Sequence, residues 1–160
     1  QVEHPGTELV FGTDLVKKQI LIAMGEKLTP SEDFRKRRGH SIECRINAED
    51  PESFIPQPGK ILDYHQPGGP GIRVDSALYS GYRVPSYYDS LIAKIISYGE
   101  DRREAISRMS RALKETSIDG IKTNIPLLEK ILQDPEFHEG HFSTSYLNKF
   151  INSPKENVKQ

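Results

Sequence analysis

Residues 41–49 alternate strictly between polar and apolar side chains, and this pattern constrains the fold more than any other part of the chain. The apolar side chains are Ile42, Cys44, Ile46 and Ala48, and the polar ones are Ser41, Glu43, Arg45, Asn47 and Glu49. Successive side chains of a β-strand point to opposite faces of a sheet. The segment is therefore predicted to be a half-buried strand with one polar face.

Three further strands are predicted over residues 60–65, 72–79 and 91–98, where β-branched and aromatic residues lie between Pro/Gly turns. Turns this short favour antiparallel neighbours.

The last third of the chain changes to helical spacing of its apolar residues. Helices are predicted from a cap at Asp101 to near Gly120, from a cap at Thr123 to Asp134, and from Ser143 onward. Strands followed by helices, without sustained alternation of the two, indicate an α+β fold with a mainly antiparallel sheet and C-terminal helices.

A separate helix is predicted near the start of the chain. Thr13 and Asp14 can cap it, apolar residues recur at helical spacing after them, and Gly25 can end it. The polar, Pro-containing connection 26–39 follows and is the predicted domain boundary. Residues 152–160 are predicted to form a flexible tail.

The composition narrows the class of protein. The chain has 160 residues, with 22 basic and 23 acidic side chains and 35% hydrophobic residues, which is a typical soluble balance. It predicts neither a nucleic-acid partner nor a membrane span. A single cysteine, Cys44, excludes an intrachain disulfide and four-thiolate metal sites, so a reducing cytoplasm is the expected compartment.

The first residues carry an adjacent carboxylate and imidazole, Glu3 and His4. They could act as an acid–base pair or as metal ligands. Adjacent residues of a strand point to opposite faces, however, and a structural role for His4 is then the more common outcome. No initiator Met precedes this segment, and the chain is expected to be the downstream piece of a longer protein.

Arg45 stands in the middle of the predicted strand, on its polar face between Glu43 and Asn47. A guanidinium in this place either forms an ion pair on the sheet surface or receives an anion. Residue pattern alone favours the ion pair, which is commonplace on exposed strands.

Several longer motifs resemble the biotin carboxylase family. They are Gln-Val-Glu-His-Pro at residues 1–5, Gly-His-Ser-Ile-Glu-Cys-Arg-Ile-Asn-Ala-Glu-Asp at 39–50, Phe-Ile-Pro-Gln-Pro-Gly-Lys-Ile at 54–61, Pro-Gly-Gly-Pro-Gly-Ile-Arg-Val-Asp-Ser at 67–76, Tyr-Tyr-Asp-Ser-Leu-Ile-Ala-Lys at 87–94 and Asp-Gly-Ile-Lys-Thr-Asn-Ile at 119–125. The Gly-Gly-Pro-Gly stretch and Arg-Ile-Asn-Ala-Glu-Asp look most like the acetyl-CoA carboxylase type.

The resemblance implies an ATP-grasp enzyme that uses ATP with Mg²⁺, or Mn²⁺, to phosphorylate bicarbonate. Carboxyphosphate then delivers CO₂ to biotin on biotin carboxyl carrier protein, the first half-reaction of acetyl-CoA carboxylase in fatty acid synthesis. Implied partners are the carrier protein, the carboxyltransferase subunits and a second copy of the enzyme in a homodimer. The alternatives are the biotin carboxylase domain of a propionyl-CoA or pyruvate carboxylase, or a non-catalytic structural or dimerisation module.

The resemblance also implies roles for individual residues. Glu3 matches the general base that deprotonates bicarbonate, while Gln1 and the amide of Val2 match donors that hold this anion. Arg45 matches the arginine that stabilises negative charge on the ureido oxygen of biotin.

Other residues match positions outside the reacting centre. Thr144 occupies an ATP-binding position where relatives commonly have an aliphatic residue. Arg73 and Pro70 match the homodimer interface, in which the position of Pro70 can be aromatic.

Residues 1–38 are then the end of the ATP-grasp domain with its connector, and 39–151 form the biotin carboxylase C-terminal domain. The metal ligands and most ATP ligands lie upstream of Gln1 in this family, so the isolated chain is expected to fold without activity.

Overall fold

A three-stranded antiparallel sheet forms the centre of the molecule, with helices on both of its faces. The computed structural model describes residues 3–28 and 36–151. In chain order the elements are α1 (His4–Phe11), α2 (Leu15–Ala23), β1 (His40–Asn47), β2 (Gly59–Lys60), β3 (Asp63–His65), β4 (Ile72–Ser76), β5 (Arg83–Val84), β6 (Leu91–Gly99), α3 (Arg102–Glu115), β7 (Ser117–Asp119), α4 (Ile125–Gln133), α5 (Pro135–Glu139) and α6 (Asn148–Ile151). The predicted mixture of helices and antiparallel strands is confirmed.

The central sheet has the strand order β1-β6-β4. Two small antiparallel pairs, β2-β5 and β3-β7, accompany it. The predicted tail 152–160 lies outside the described residues.

The main core lies between the apolar face of this sheet and α3. The predicted inward residues Cys44 and Ile46 are buried there, and α3 supplies Ala105, Ile106, Met109, Ala112 and Leu113. α3 begins at the predicted place because the Asp101 carboxylate accepts a hydrogen bond from the Glu104 N–H at 2.8 Å. Gly99 allows the close approach of helix and sheet, since a Cβ there would lie 2.7 Å from the Ala105 nitrogen.

The prediction of one strand over 60–65 was wrong, because pairing changes partner in the middle of this segment. The Ile61 N–H donates to the Tyr82 carbonyl, whereas the Leu62 N–H donates to the Asp119 carbonyl. The backbone therefore divides into β2, which pairs with β5, and β3, which pairs with β7. The predicted strand 72–79 is also shorter, since the Ser76 hydroxyl accepts from the Leu78 N–H in the turn that follows β4.

Helix boundaries in the last third also differ from expectation. α3 ends at Glu115 rather than near Gly120, because extended residues after Thr116 form β7 against β3. The N-cap of α4 is Asn124 rather than Thr123. The helix predicted from Ser143 begins only at Asn148, and the Asp134 carboxylate caps an additional helix, α5.

At the start of the chain the assumption of a strand at Glu3 and His4 was wrong. Residues 4–11 form α1, with buried Pro5 in its first turn, where proline suits a helix because no amide partner is needed. The predicted helix capped by Asp14 is confirmed as α2, and Gly25 follows it with a φ of +92°. Apolar side chains of α2 are exposed, including Val16, Ile20 and Ile22, as is Met24 directly after the helix.

Within the two described ranges, no helix combines the length and the apolar character that crossing a membrane requires.

The two methionines of the chain provide a test of where the core lies. Met109 is fully buried in α3, whereas Met24 is 73% exposed. Met109→Ala is expected to lower the free energy of unfolding by about 2–5 kcal/mol, because it removes buried apolar contacts and leaves a cavity. Met24→Ala is the matched control and should change it by less than about 0.5 kcal/mol. Urea denaturation followed by circular dichroism measures both, and equal effects would contradict the assigned core.

Candidate active site

Arg45 projects from the polar face of β1 and lies between two carboxylates from different parts of the chain. Its Nη2 is 3.6 Å from Glu3 Oε2, and its Nε is 3.9 Å from Glu43 Oε1. The side chains of Arg45 and Glu3 are 52% and 62% exposed. Exposed pairs at such distances contribute little to stability, because water screens them. The structure thus brings together the two residues for which catalytic roles are predicted, at an open surface.

Helix α1 holds Glu3 in this position. The helix lies on β1 and β6, and Glu3 immediately precedes its first residue. Pro5 is fully buried, so the first turn of α1 cannot move away from the sheet without exposing apolar surface.

A second arginine, Arg73 of β4, joins α1 to the sheet. Arg73 Nη1 donates to Glu8 Oε2 at 2.6 Å, and its Nε and Nη2 donate to both oxygens of Asp75 at 2.8 and 2.9 Å. Glu8 belongs to α1, is 9% exposed and also accepts from the Leu15 N–H. These charge-assisted bonds hold α1 against the sheet at Glu8, between one and two helical turns after Glu3.

The pKa values of these carboxyl groups shift accordingly. Burial by itself raises the pKa of Glu8, but the hydrogen bonds from Arg73 and from the Leu15 amide outweigh it, and the net pKa is lowered. Hydrogen bonds from Arg73 lower the pKa of Asp75, and those to Asp75 raise the pKa of Arg73 itself.

Arg73 and Arg45 therefore differ in how many of their N–H donors remain available to bind a ligand. Arg73 uses all three guanidinium nitrogens on Glu8 and Asp75. Among the described residues, both carboxylate contacts of Arg45 are longer than a hydrogen bond. Arg45 can therefore still offer donors to an anion.

Two further charged side chains lie beside Arg45. Glu43 is only 12% exposed, its Oε2 has no hydrogen-bond partner among the described residues, and burial raises its pKa. The alternating pattern predicted that Glu43 shares the face of Arg45, but not that its side chain is nearly buried. Lys94 lies directly opposite Arg45 on β6, and only the register of the sheet reveals it.

The other predicted site residues lie elsewhere or outside the described part. Gln1 and Val2 are outside the described residues. Pro70 is exposed in the loop before β4, and Thr144 is exposed in the turn before α6. Thr144 follows α5, which contacts α3 on the opposite face of the sheet from Arg45.

Neither a metal centre nor a reactive thiol is evident in residues 3–28 and 36–151. No three His, Cys, Asp or Glu side chains converge there as metal ligands would. Burial raises the pKa of Cys44 to about 12, which disfavours its thiolate.

The model of a known protein family matches most of the chain. Residues 43–149, which include Arg45 and all the strands after it, match the model of the biotin carboxylase C-terminal domain. The chain belongs to the biotin carboxylase C-terminal domain family. The resemblance inferred from the motifs is thereby confirmed.

Relatives of the family extend the match to the N-terminal helices. The biotin carboxylase of Allochromatium vinosum is 55% identical over 151 residues, which are 94% of this chain and 34% of that protein. The biotin carboxylase of Haemophilus influenzae is 56% identical over 149 residues, 93% of this chain and 33% of that protein. The chain thus spans about a third of the length of these relatives.

A solved structure of the same family has the same fold. It is the biotin carboxylase domain dimer of the Hydrogenobacter thermophilus 2-oxoglutarate carboxylase, in complex with MgADP, ADP and bicarbonate. Its TM-score to this chain is 0.89 at 48% identity, and the match covers 97% of this chain and 35% of that one.

The anchor between α1 and the sheet makes stability depend on pH. The lowered pKa of folded Glu8 means that its stabilising effect is complete above its ordinary value of 4.5 and is lost as the pH falls through the folded value. Glu8→Gln should therefore cost about 1–3 kcal/mol at pH 7, because Arg73 loses a charged partner. The difference from the unmodified chain should shrink on acidification.

Urea denaturation at several pH values measures this difference. The control is Glu26→Gln, a change at an exposed carboxylate, and it should have no such effect. A Glu8→Gln cost that stays constant between neutral and acidic pH would contradict the ion pair.

Proposed function

We propose that the chain forms part of a biotin carboxylase, the ligase that uses ATP and bicarbonate to carboxylate biotin on a carrier protein. The observation that carries the proposal is the meeting of Glu3 and Arg45, 3.6 Å apart and both open to solvent. The two residues are more than forty positions apart in sequence, and each lies in a segment that matches a family motif. A carboxylate can accept a proton, and a guanidinium beside it that still has N–H donors can bind an anion at the same surface.

Glu3 is the proposed general base. Its carboxylate takes the proton of bicarbonate, so that a bicarbonate oxygen can attack the γ-phosphorus of ATP. Gln1 and the amide of Val2, directly before Glu3 in the chain, are proposed to hold bicarbonate in line for this attack.

Arg45 is the proposed stabiliser of the biotin anion. As the proton leaves the ureido nitrogen, negative charge develops on the ureido oxygen, and a guanidinium already in place stabilises it. Rotation of Arg45 towards biotin costs little, because its present contacts with Glu3 and Glu43 are long.

ATP with Mg²⁺ or Mn²⁺ and carrier-bound biotin are the proposed substrates. The complex of the Hydrogenobacter thermophilus domain with MgADP and bicarbonate supports nucleotide and bicarbonate use. The described residues hold no cluster of metal ligands, so the ligands for Mg²⁺ are assigned to parts of the enzyme beyond them. Thr144 remains the proposed contact of this chain with the nucleotide.

We assign residues 1–38 to the end of an ATP-grasp domain and 39–151 to the C-terminal domain. The exposed apolar side chains of α2 support this assignment, because a helix of a complete domain would bury such a face.

The proposed assembly is a homodimer in the cytoplasm, with biotin carboxyl carrier protein and carboxyltransferase subunits as further partners. The dimeric relative supports it. Arg73 and Pro70 are the proposed interface residues. Arg73 is 34% exposed, so part of its side chain remains accessible beside its ion pairs. Sedimentation velocity of the full-length enzyme tests the dimer.

A second candidate is the same half-reaction in a carboxylase for another acceptor. The solved relative belongs to a 2-oxoglutarate carboxylase, and the biotin site does not depend on the final acceptor. The acetyl-CoA carboxylase type stays our proposal, on the motifs at residues 45–50 and 68–71. Assays of the complete system with acetyl-CoA, propionyl-CoA, pyruvate and 2-oxoglutarate distinguish these acceptors.

The test of Glu3 uses the full-length enzyme. Glu3→Gln should nearly abolish bicarbonate-dependent ATP hydrolysis and leave nucleotide binding in place, because an amide cannot take the proton. Coupled measurement of ADP release and calorimetric titration with nucleotide measure the two properties. Glu26→Gln is the control, and turnover of Glu3→Gln within about threefold of the unmodified enzyme would contradict the assigned base.

Arg45 is tested through the separate half-reactions. Arg45→Gln should slow biotin carboxylation by about 10²-fold, the effect of losing one donor to a developing anion. Bicarbonate-dependent ATP cleavage should fall much less. Fixation of labelled bicarbonate on biotin measures the first rate and ADP release the second. Equal losses in both would instead indicate a general disruption of the site.

A further inference from the structure

β1 is an edge strand, and this exposes the backbone that carries Arg45. In the sheet order β1-β6-β4, hydrogen bonds from β6 reach only one edge of β1. Backbone groups on the other edge need partners from elsewhere, since buried unpaired amides and carbonyls are costly.

The side chain of Asn124 supplies these partners at Arg45. Its Nδ2 donates to the Arg45 carbonyl oxygen at 3.0 Å, and its Oδ1 accepts from the Asn47 N–H at 2.9 Å. The Asn124 backbone N–H also donates to the Asn47 carbonyl oxygen at 3.2 Å. One carboxamide thus provides the donor and the acceptor that a neighbouring strand would provide.

These bonds lie where the regular sheet becomes irregular. Ile46 pairs with Ala93, but Asn47 pairs with Leu91, so the register shifts between Ile46 and Asn47, one residue beyond Arg45. Regular pairing with β6 alone therefore does not continue past this point. Asn124 restrains the same stretch from the opposite edge.

Asn124 is itself held firmly. It is 9% exposed and precedes α4, whose Leu127 and Leu128 amides donate to its carbonyl oxygen. Leu132 anchors the helix in the main core. Asn124 therefore links the backbone of Arg45 to helix α4 by hydrogen bonds.

The guanidinium of Arg45 depends on this backbone restraint. Its contacts with described carboxylates are 3.6 and 3.9 Å long, so they hold the side chain only weakly. A shift of the strand would move the donors away from the place where charge develops, and small misplacements of catalytic groups are costly.

We propose that Asn124 is a positioning residue for the biotin half-reaction, which it serves by fixing the backbone from the Arg45 carbonyl group to Asn47. This proposal rests on the function proposed for Arg45. Asn124 is the N-cap of α4 by position, but its side chain makes no capping hydrogen bond, and the proposal assigns this side chain to holding the site.

The experiment compares single and double variants of the full-length enzyme. Asn124→Ala should slow biotin carboxylation by about tenfold, with bicarbonate-dependent ATP cleavage within about threefold of normal. Asn124→Asp keeps the acceptor for Asn47 but loses the donor to Arg45, and should show a similar split. Asn148→Ala, a change at an exposed asparagine of α6, is the matched control and should have no effect.

The decisive measurement is the double variant. In an Arg45→Gln background, Asn124→Ala should cause little further loss of biotin carboxylation, because the group that it positions is already gone. A purely structural role would multiply the two losses and would reduce ATP cleavage as well. Thermal unfolding of each variant, with assays below the lowest melting temperature, verifies the fold; if Asn124→Ala fails to fold, Asn124→Ser replaces it.

The outcomes separate the two proposals. A defective Arg45→Gln enzyme together with normal biotin carboxylation by Asn124→Ala, or with independent losses in the double variant, overturns the positioning role alone. Normal biotin carboxylation by Arg45→Gln overturns the function proposed for Arg45 and the positioning role with it.

Discussion

The antiparallel pairing of β1 with β6 is the interaction on which the rest of the structure depends. It runs without a shift from His40 opposite Gly99 to Ile46 opposite Ala93. This register turns Cys44 and Ile46 towards α3 and leaves Arg45 on the other face. A shift by one residue would exchange the two faces, burying the guanidinium and exposing the core side chains. The hydrophobic core and the candidate active site therefore share one determinant.

Two arginines on the polar face of the sheet, Arg73 and Arg45, differ in their contacts. Each guanidinium nitrogen of Arg73 donates to Glu8 or Asp75, and these bonds join α1 to the sheet. Among the described residues, the contacts of Arg45 with Glu3 and Glu43 are long, so Arg45 keeps donors for a ligand. Arg73 anchors α1, and α1 begins beside Glu3, which contacts Arg45. In the proposed function, stability and chemistry are thus divided between two arginines on the same face of the sheet.

The surface around Arg45 is open, as expected for a chain that represents only part of the length of its relatives. It spans about a third of its curated relatives, and its exposed groups include Glu3 and the apolar side of α2. Proteins tend to expose apolar patches of this kind where another domain or partner packs. In the proposed enzyme, Glu3 and Arg45 form one side of a site that further residues complete.

The sequence by itself determined the α+β class, the two faces of β1, the cap of α3 at Asp101 and the family, since each depends on local periodicity, capping chemistry or motif identity. It also indicated Glu3 and Arg45, but through motifs rather than through any pattern that joins them. Only the tertiary structure decided that residues 4–11 form a helix and that this helix brings Glu3 to Arg45. It likewise decided that residues 60–65 divide between two partners, and that Asn124 binds the edge of β1. The physical reason is common to all of these: they depend on contacts between segments distant in the chain, and local spacing carries no information about which backbone or charge will lie opposite.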